Sequence, residues 1–314
     1  MVHQKACKRS AINNKKARLK LFVVAILMLG VSFGASFGIL MIVNNNTVDE
    51  EKPHEVEGFV QPVTQEPEEE LPPVINFQSV IDEWANGISG NKSVLVYDLE
   101  RNEVVGEYNA DENYGTASLY KLFVVYEGYR RIANGEWTTD MAAGVTGKAL
   151  LECLDLAIRE SNSNCAETIW AMIGHDNLDK IIYDDFNISH SDISSLTSNP
   201  KDIMEIMKLF FNHPDINDAD LITRIKDSFL NQPITEYNWR QGLPSGFSRA
   251  SVYNKVGWDY NPNKKYWNIY HDAAIVEFPE DNRHYIVVVM TNYVPFQQIR
   301  NFGTMIENYY YNNN

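Results

Sequence analysis

An uncharged apolar segment of 23 residues, 21–43, is the feature that most constrains how this chain can fold. At a helical rise of about 1.5 Å per residue, the segment extends roughly 34 Å, which is enough to cross the hydrocarbon core of a bilayer. The segment therefore predicts one transmembrane helix. A cleaved signal peptide is the alternative, although its apolar region usually has only about 7–15 residues.

The charge on the two sides of this segment predicts its orientation. Residues 1–20 form a basic tail without an acidic residue. The seven cations of this tail are Lys5, Lys8, Arg9, Lys15, Lys16, Arg18 and Lys20. Acidic residues at 49–51 follow the apolar segment. The positive-inside rule places the tail in the cytoplasm, so we expect a single-pass protein of the cell membrane with an extracytoplasmic body.

Three glycines within the apolar segment could allow two copies of the membrane helix to associate. Gly30, Gly34 and Gly38 form two overlapping G-x-x-x-G patterns. Small residues at this spacing allow two membrane helices to pack closely, which would support a weak homodimer through the anchor. The alternative is that glycine is simply common in membrane helices.

Residues 44–75 have the composition of an extended linker. They contain nine acidic residues, one lysine and several prolines, with few apolar side chains to bury. The whole chain has a formal charge of −15, to which the basic tail contributes +7, so the remaining residues carry −22. Such an acidic body repels phosphate backbones, and nucleic-acid binding is not expected.

Residues 76–314 are long enough for one domain with a substantial core. Strand patterns come early, at 92–99 and 103–108, and late, at 251–257, 267–278 and 285–291. Helical patterns lie at 76–88, 117–133, 148–160, 164–173, 176–183, 200–212, 218–230 and 295–310. This order predicts an α+β fold: one five-stranded antiparallel sheet, built from both ends of the domain, with flanking helices and an all-helical lobe.

Serine and lysine are better candidates for chemistry than histidine. The histidines of residues 76–314 do not have metal-ligand spacing, and this part of the sequence has no G-x-S-x-G nucleophile elbow whose serine they could activate. We therefore expect them at the surface or in loops. These histidines are His175, His190, His213, His271 and His284.

The pattern S-x-x-K occurs three times, beginning at Ser89, Ser118 and Ser198. Ser89 lies in a loop rich in glycine and asparagine, and Ser198 has the sequence context of a helix cap. Ser118 instead opens the long apolar helix, where Lys121 lies on the same helical face. A lysine buried there would have a lowered pKa and could act as a base. The alternative is a helix cap beside a solvated lysine.

Two further motifs form an ordered set with Ser118. Ser161 lies in RESNSN between two helical patterns, and Lys255 lies in YNKVGW at the end of a late strand. Together, S-x-x-K at a helix start, S-x-S/N in a helical lobe and K-x-G on a late strand resemble the penicillin-recognising serine hydrolases. This family comprises the class A β-lactamases and the D-alanyl-D-alanine peptidases, or penicillin-binding proteins. The resemblance extends over residues 76–310.

The resemblance implies a role for each motif residue. Ser118 would be the nucleophile that forms an acyl ester, and Lys121 would be its general base. Ser161 would relay a proton to the leaving group. Lys255 would support this relay and attract an anionic substrate. No metal and no organic cofactor is implied.

The resemblance also implies which residues bind the substrate. Backbone N–H groups of Ser118 and Trp258 would form the oxyanion hole, and Gly257 would let the strand approach the substrate closely. Ser163 and Val256 occupy binding positions where the family usually has an asparagine and a hydroxyl residue. A valine cannot donate a hydrogen bond, which argues against classical recognition of a penicillin or D-alanine carboxylate.

A further departure concerns deacylation. Residues 175–200 contain no E-x-x-L-N motif, so the glutamate that activates the deacylating water in class A β-lactamases has no counterpart there. Glu160 and Glu167 lie nearby in the sequence, and a solvated helix face is the simpler explanation for them.

Two cysteines, Cys153 and Cys165, flank the predicted Ser161 loop. Outside the cell a disulfide is permitted and would brace this loop. Two buried free thiols are the alternative, because cysteine packs well in protein cores.

Three functional hypotheses follow. The first is a membrane-anchored extracytoplasmic serine hydrolase, D,D-peptidase-like, that acts by acyl transfer on cell-wall peptide or a related amide or ester. The second is a catalytically weak or inactive member that binds cell-envelope material or a protein partner, which Val256 and Ser163 favour. The third is a β-lactamase that takes a β-lactam-like small molecule.

Overall fold

A computed structural model describes residues 73–235, 237–260 and 268–314 of the chain. Its helices, α1 to α8 in chain order, are Gln78–Gly87, Tyr120–Ala133, Leu150–Arg159, Ser163–Ile173, His175–Asp184, Pro200–Asn212, Ala219–Leu230 and Phe296–Asn313. Its strands, β1 to β7, are Asn91–Asp98, Glu103–Tyr108, Tyr114–Gly115, Thr197–Ser198, Ser251–Tyr260, Asn268–Phe278 and Arg283–Asn292. Short 3-10 turns cover Ala117–Leu119, Gly144–Thr146 and Leu243–Ser245.

The predicted tail at 1–20, the predicted membrane helix at 21–43 and most of the linker lie outside the described residues. Within the described ranges, none of the helices combines the length and the apolar character needed to span a bilayer. Ordered contacts begin slightly before the predicted end of the linker. Ile75 is buried, and the carbonyl of Pro73 accepts a hydrogen bond from Arg283 at 2.9 Å.

The five long strands form one antiparallel sheet in the order β2-β1-β7-β6-β5, which confirms the predicted sheet. Strands β1 and β7 come from opposite ends of the domain and pair side by side in its middle. The run Ile286–Met290 of β7 is completely buried, as expected for a strand that is covered on both faces. Strand β5 lies at an edge of the sheet, where side chains already bond to part of its backbone: the carbonyls of Val252, Asn254 and Val256 accept from Arg240, Gln232 and Lys255.

Helices cover both faces of the sheet. Helices α1 and α8 pack on one face, and α2 lies at the centre of the core on the other face, within the helical lobe. Ten consecutive residues of α2, Tyr120–Tyr129, are buried. Burial all round the helix agrees with its nearly continuous apolar sequence.

Three predicted boundaries are wrong by three residues, one of them the end of the last helix, which lies at Asn313 and not at 310. The α-helix predicted from 117 begins at Tyr120, and residues 117–119 form a 3-10 turn instead. Ala117 has a φ of +43°, a conformation from which a right-handed helix cannot extend backwards. Strand β5 was expected to end at Gly257 but continues to Tyr260, because β6 pairs with it along its whole length.

A buried ion pair ties the end of β1 to the start of β7. The Asp98 carboxylate accepts a hydrogen bond from the Arg283 guanidinium at 2.6 Å, and the two side chains are 0% and 1% exposed. Removing one partner of such a pair leaves the other charge buried without compensation. The pair therefore links the end of β1 to the start of β7. Arg283 also donates to the Pro73 carbonyl, so it holds the N-terminal end of the described domain at the same point.

We expect Asp98→Ala to lower the free energy of unfolding by about 3–5 kcal/mol, because it leaves the Arg283 charge buried and unpaired. Urea unfolding followed by circular dichroism measures this change. Glu152→Ala is the matched control, since Glu152 pairs with Lys148 at an exposed site and should contribute less than about 1 kcal/mol. Equal losses in both variants would contradict the importance of the buried pair.

Candidate active site

Ser118 lies on a tight turn at the entrance to α2. The turn depends on the positive φ of Ala117, and the Thr116 carbonyl accepts the N–H of Leu119 at 3.0 Å. The N–H of Thr116 donates to the carbonyl of Leu196 at 2.8 Å, which anchors the turn to the segment before α6. The N-terminal end of a helix carries positive potential, so this position favours negative charge on a nearby oxygen.

Lys121 brings the first two predicted motifs into contact. Its Nζ lies 3.0 Å from the Oγ of Ser118 and 3.1 Å from the Oγ of Ser163. The same amine lies 2.7 Å from the Ser161 carbonyl oxygen and 3.3 Å from the Ser161 hydroxyl. Because the Lys121 side chain is completely buried, these serine oxygens take the place of water around the amine.

Burial changes the protonation of Lys121. Removal from water disfavours the ammonium form and lowers the pKa of Lys121 to about 8, while the negative charge of Glu167 opposes this shift. A lysine with such a pKa is partly neutral in mildly alkaline solution. The neutral amine can accept a proton from the adjacent Ser118 hydroxyl.

Lys255 reaches the same centre from the sheet. Its Nζ donates to the Ser161 hydroxyl at 3.0 Å and to the carbonyl of Val256 at 2.7 Å. Burial and the positive charge of Lys121 lower the pKa of Lys255 well below its ordinary value, and the charge of Asp272 opposes them. The Ser161 hydroxyl therefore lies between two lysines, which is a suitable position for a group that passes a proton on.

The loop that carries Ser161 is held on both sides. Ser161 itself has a φ of +55°, and the side chain of Asn162 caps α4 by accepting the N–H of Cys165 at 3.0 Å. Cys153 of α3 and Cys165 of α4 form a disulfide, so the bonded alternative is the one observed. Because the disulfide joins the two helices that flank the loop, it restricts the positions that Ser161 can adopt.

Strand β5 passes directly against the serine turn at Gly257. A Cβ atom on this residue would lie 2.7 Å from the carbonyl oxygen of Thr116 and 3.0 Å from the side chain of Leu119. Only glycine permits this approach. The backbone of the next residue, Trp258, is therefore held close to the Ser118 turn.

His271 also connects the sheet to the serine turn, and its predicted place at the surface or in a loop is wrong. It pairs with Gly257 across β5 and β6 and is completely buried. Its Nε2–H donates to the carbonyl of Gly115 at 2.8 Å, and its Nδ1 accepts the N–H of Thr291 at 2.9 Å. Burial lowers the pKa of His271 to about 4, so the ring is neutral. The position of His271 within an apolar strand pattern is the feature of the sequence that indicates its burial.

Val256 and Trp258 project from the opposite face of β5. Side chains alternate along a strand, so Lys255 and Gly257 face the serine turn while Val256 faces the core under α1 and α8. The Val256 side chain is 1% exposed, which corrects the prediction that it contacts the substrate. The Trp258 ring packs 5.1 Å from that of Tyr237, so only its backbone remains a candidate for the site.

Ser118, Lys121, Ser161 and Lys255 thus form one continuous chain of hydrogen bonds, and the Ser163 hydroxyl joins it through Lys121. A hydroxyl beside a buried amine of lowered pKa has the arrangement of an activated nucleophile. In the described parts of the chain, no group of three or more His, Cys, Asp or Glu side chains could hold a metal ion.

Comparison with known families agrees with this geometry. The model of the beta-lactamase enzyme family matches residues 76–309, which is more than half of the chain. The chain belongs to the beta-lactamase enzyme family. The expected resemblance to penicillin-recognising serine hydrolases is thereby confirmed at the level of the family.

Solved structures show the same β-lactamase-like fold at low sequence identity. A class A beta-lactamase representative from Bacteroides cellulosilyticus DSM 14838 has a TM-score of 0.65 and 13% identity, covering 76% of this chain and 99% of its own. A beta-lactamase from Chitinophaga pinensis DSM 2588 has a TM-score of 0.63 and 14% identity, covering 73% and 97%. PBP-A has a TM-score of 0.62 and 16% identity, covering 77% and 100%. Comparison of the sequence with curated proteins found no match.

We expect the Lys121 amine to lose its proton near pH 8, because burial disfavours the ammonium form. The measurement is a pH titration of the lysine ¹³Cε resonances by NMR. Lys121→Met and Lys255→Met identify the resonances of the two buried lysines. A Lys121 resonance that changes only near the ordinary lysine pKa of about 10.4 would contradict the described environment.

Proposed function

We propose that this protein is a serine hydrolase that acts by acyl transfer through Ser118. The observation that carries the proposal is the 3.0 Å contact between the Ser118 hydroxyl and the Lys121 amine, whose pKa is lowered to about 8. A serine hydroxyl is a weak nucleophile until an adjacent base takes its proton. The neutral form of Lys121 is the base in contact with it.

The reaction would proceed in the following order. The Ser118 Oγ attacks the acyl carbon of the substrate while its proton moves to the Lys121 Nζ. N–H groups of Ser118 and Trp258 stabilise the negative oxygen that develops. As the bond to the leaving group breaks, the Ser161 hydroxyl gives that group its proton and is reprotonated from Lys121. Lys255, which donates to Ser161, holds the relay in place. The products of this half-reaction are the Ser118 ester and the protonated leaving group.

The substrate we propose is a cell-wall peptide or a related amide or ester, as for a D,D-peptidase. Strand β5 is an edge strand, and its backbone at Trp258, beyond the carbonyls that side chains already engage, would pair with an extended peptide. A negatively charged substrate beside Lys255 would favour the ammonium form of this buried amine and oppose the lowering of its pKa. The similar structures include both beta-lactamases and PBP-A, so hydrolysis of a β-lactam-like molecule is the alternative activity.

A second candidate function is binding without turnover, of cell-envelope material or a protein partner. Two features favour it. The Ser163 hydroxyl is engaged with Lys121, and the Val256 side chain is buried on the other face of β5. The Val256 side chain therefore offers the substrate no contact, and the short Ser163 hydroxyl offers a single donor where the family usually has an asparagine amide.

We further propose that the domain is extracytoplasmic and anchored by the apolar segment at 21–43. Seven cations precede this segment and acidic residues follow it, which favours a cytoplasmic N-terminus. The Cys153–Cys165 disulfide supports this location independently, because disulfides persist in oxidising compartments. The weak homodimer through the anchor glycines remains part of this proposal.

We expect the full-length protein to gain one covalent adduct with benzylpenicillin or with a fluorophosphonate, as seen by intact mass spectrometry. Ser118→Ala should abolish the adduct, because it removes the attacking oxygen. Ser89→Ala is the matched control, since Ser89 opens another S-x-x-K pattern outside the site, and it should label like the parent. Equal labelling of Ser118→Ala would contradict the assignment. A parent that neither reagent labels would favour the binding function.

A further inference from the structure

A glutamate of α4 lies beside the Ser118–Lys121 pair and has no part in the acylation steps described above. Glu167 follows Ser163 by four residues, so the two side chains lie on neighbouring parts of the same helical face. Ser163 contacts the Lys121 amine, and this face of α4 therefore borders the reacting centre. The sequence suggested only a solvated helix face for Glu167.

The Glu167 carboxylate is held by a residue that adjoins Lys121 in the chain. The phenol of Tyr120 donates to Glu167 Oε1 at 2.6 Å. The Tyr120 ring in turn lies 5.6 Å from the Lys121 Nζ. Burial and the neighbouring carboxylate raise the pKa of the Tyr120 phenol, so the phenol stays protonated and continues to donate. Within the described residues, Glu167 Oε2 has no protein partner.

Charge and exposure also distinguish Glu167. Its negative charge raises the pKa of Lys121 against the effect of burial, so the carboxylate is close enough to act on the base electrostatically. The direct contacts of the Lys121 amine are serine oxygens, and no ion pair occupies the carboxylate. The Glu167 side chain is exposed, so water can reach it.

Acidic residues in the segment between α5 and α6 are already engaged elsewhere. Asp185 accepts from Arg130, and Asp192 accepts from the backbone and side chain of Ser195. Neither therefore points its carboxylate to the serine. Of the acids on these neighbouring elements, Glu167 is the one with a free oxygen and an electrostatic effect on Lys121.

We propose that Glu167 is the general base that activates water for hydrolysis of the Ser118 ester. This inference rests on the proposed function. In this step the Glu167 carboxylate takes a proton from water as the water oxygen bonds to the acyl carbon. Glu167 passes this proton, directly or through water, to the Lys121 amine, which acylation has left neutral. The bond from the acyl carbon to the Ser118 oxygen then breaks, the Lys121 ammonium protonates the Ser118 oxygen, and the acyl group leaves as a carboxylic acid. Tyr120 is a positioning residue for the carboxylate.

The test is the Glu167→Gln variant of the full-length protein. Glutamine keeps the shape and can still accept the Tyr120 hydrogen bond, but it cannot take a proton from water. The probes are benzylpenicillin and p-nitrophenyl acetate, with adduct formation and decay followed by intact mass spectrometry. We expect the adduct to form at the parent rate and to last about 10²-fold longer or more. Correspondingly, kcat should fall while kcat/KM is unchanged.

Two further variants define the control and the mechanism. Glu152→Gln removes a carboxylate at an exposed site on α3 and should leave both rates unchanged. Tyr120→Phe leaves the carboxylate but removes its hydrogen bond, so the adduct should last longer than in the parent and less long than in Glu167→Gln.

The outcomes separate this inference from the proposed function. Adducts of Glu167→Gln that decay as fast as those of the parent would overturn the inference and leave acylation by Ser118 intact. Loss of acylation in Glu167→Gln would also overturn it, because the carboxylate would then act on Lys121. A parent that neither probe acylates would instead overturn the proposed function.

Discussion

The buried amine of Lys121 is the interaction on which the rest of the site depends. A charged ammonium without water is costly, and here the neighbouring groups are neutral serine oxygens, not a contacting carboxylate. The environment therefore favours the neutral amine, and the pKa falls to about 8. The same contacts that satisfy the amine also align the Ser118 and Ser161 hydroxyls around it.

The fold holds this arrangement from three directions. Helix α2 is buried along ten consecutive residues and so fixes the backbone of Lys121. The disulfide between α3 and α4 restricts the loop of Ser161. The sheet supplies the third support, since Gly257 lets β5 touch the serine turn and the neutral ring of His271 bonds to Gly115 behind it. Each support comes from a different part of the chain.

Local patterns in the sequence were sufficient for the elements and for the first pair of site residues. Strand alternation and helical spacing predicted the sheet and the helical lobe, and the spacing of Ser118 and Lys121 on one helix predicted their contact. The contacts of Ser161 and Lys255 join residues that lie far apart in the chain. No local pattern encodes such a contact, and only the resemblance to a known family suggested it.

Other features could not be predicted, or were predicted wrongly, for identifiable reasons. The period of two in β5 implies that Val256 points away from Lys255, although both residues belong to the K-x-G motif. The surroundings of His271 and Glu167 are set by residues distant in the sequence. His271 bonds to the Gly115 carbonyl, and Glu167 accepts from the Tyr120 phenol. The pairing of Cys153 with Cys165 depends on how α3 and α4 pack, which the sequence does not specify.

A crystal structure of the acylated protein tests the central claim most directly. The proposed mechanism predicts an ester on the Ser118 Oγ, with the acyl carbonyl oxygen about 2.7–3.1 Å from the backbone nitrogens of both Ser118 and Trp258. An ester on any other residue would contradict the role of Ser118. An acyl oxygen that points away from β5 would contradict the proposed oxyanion hole.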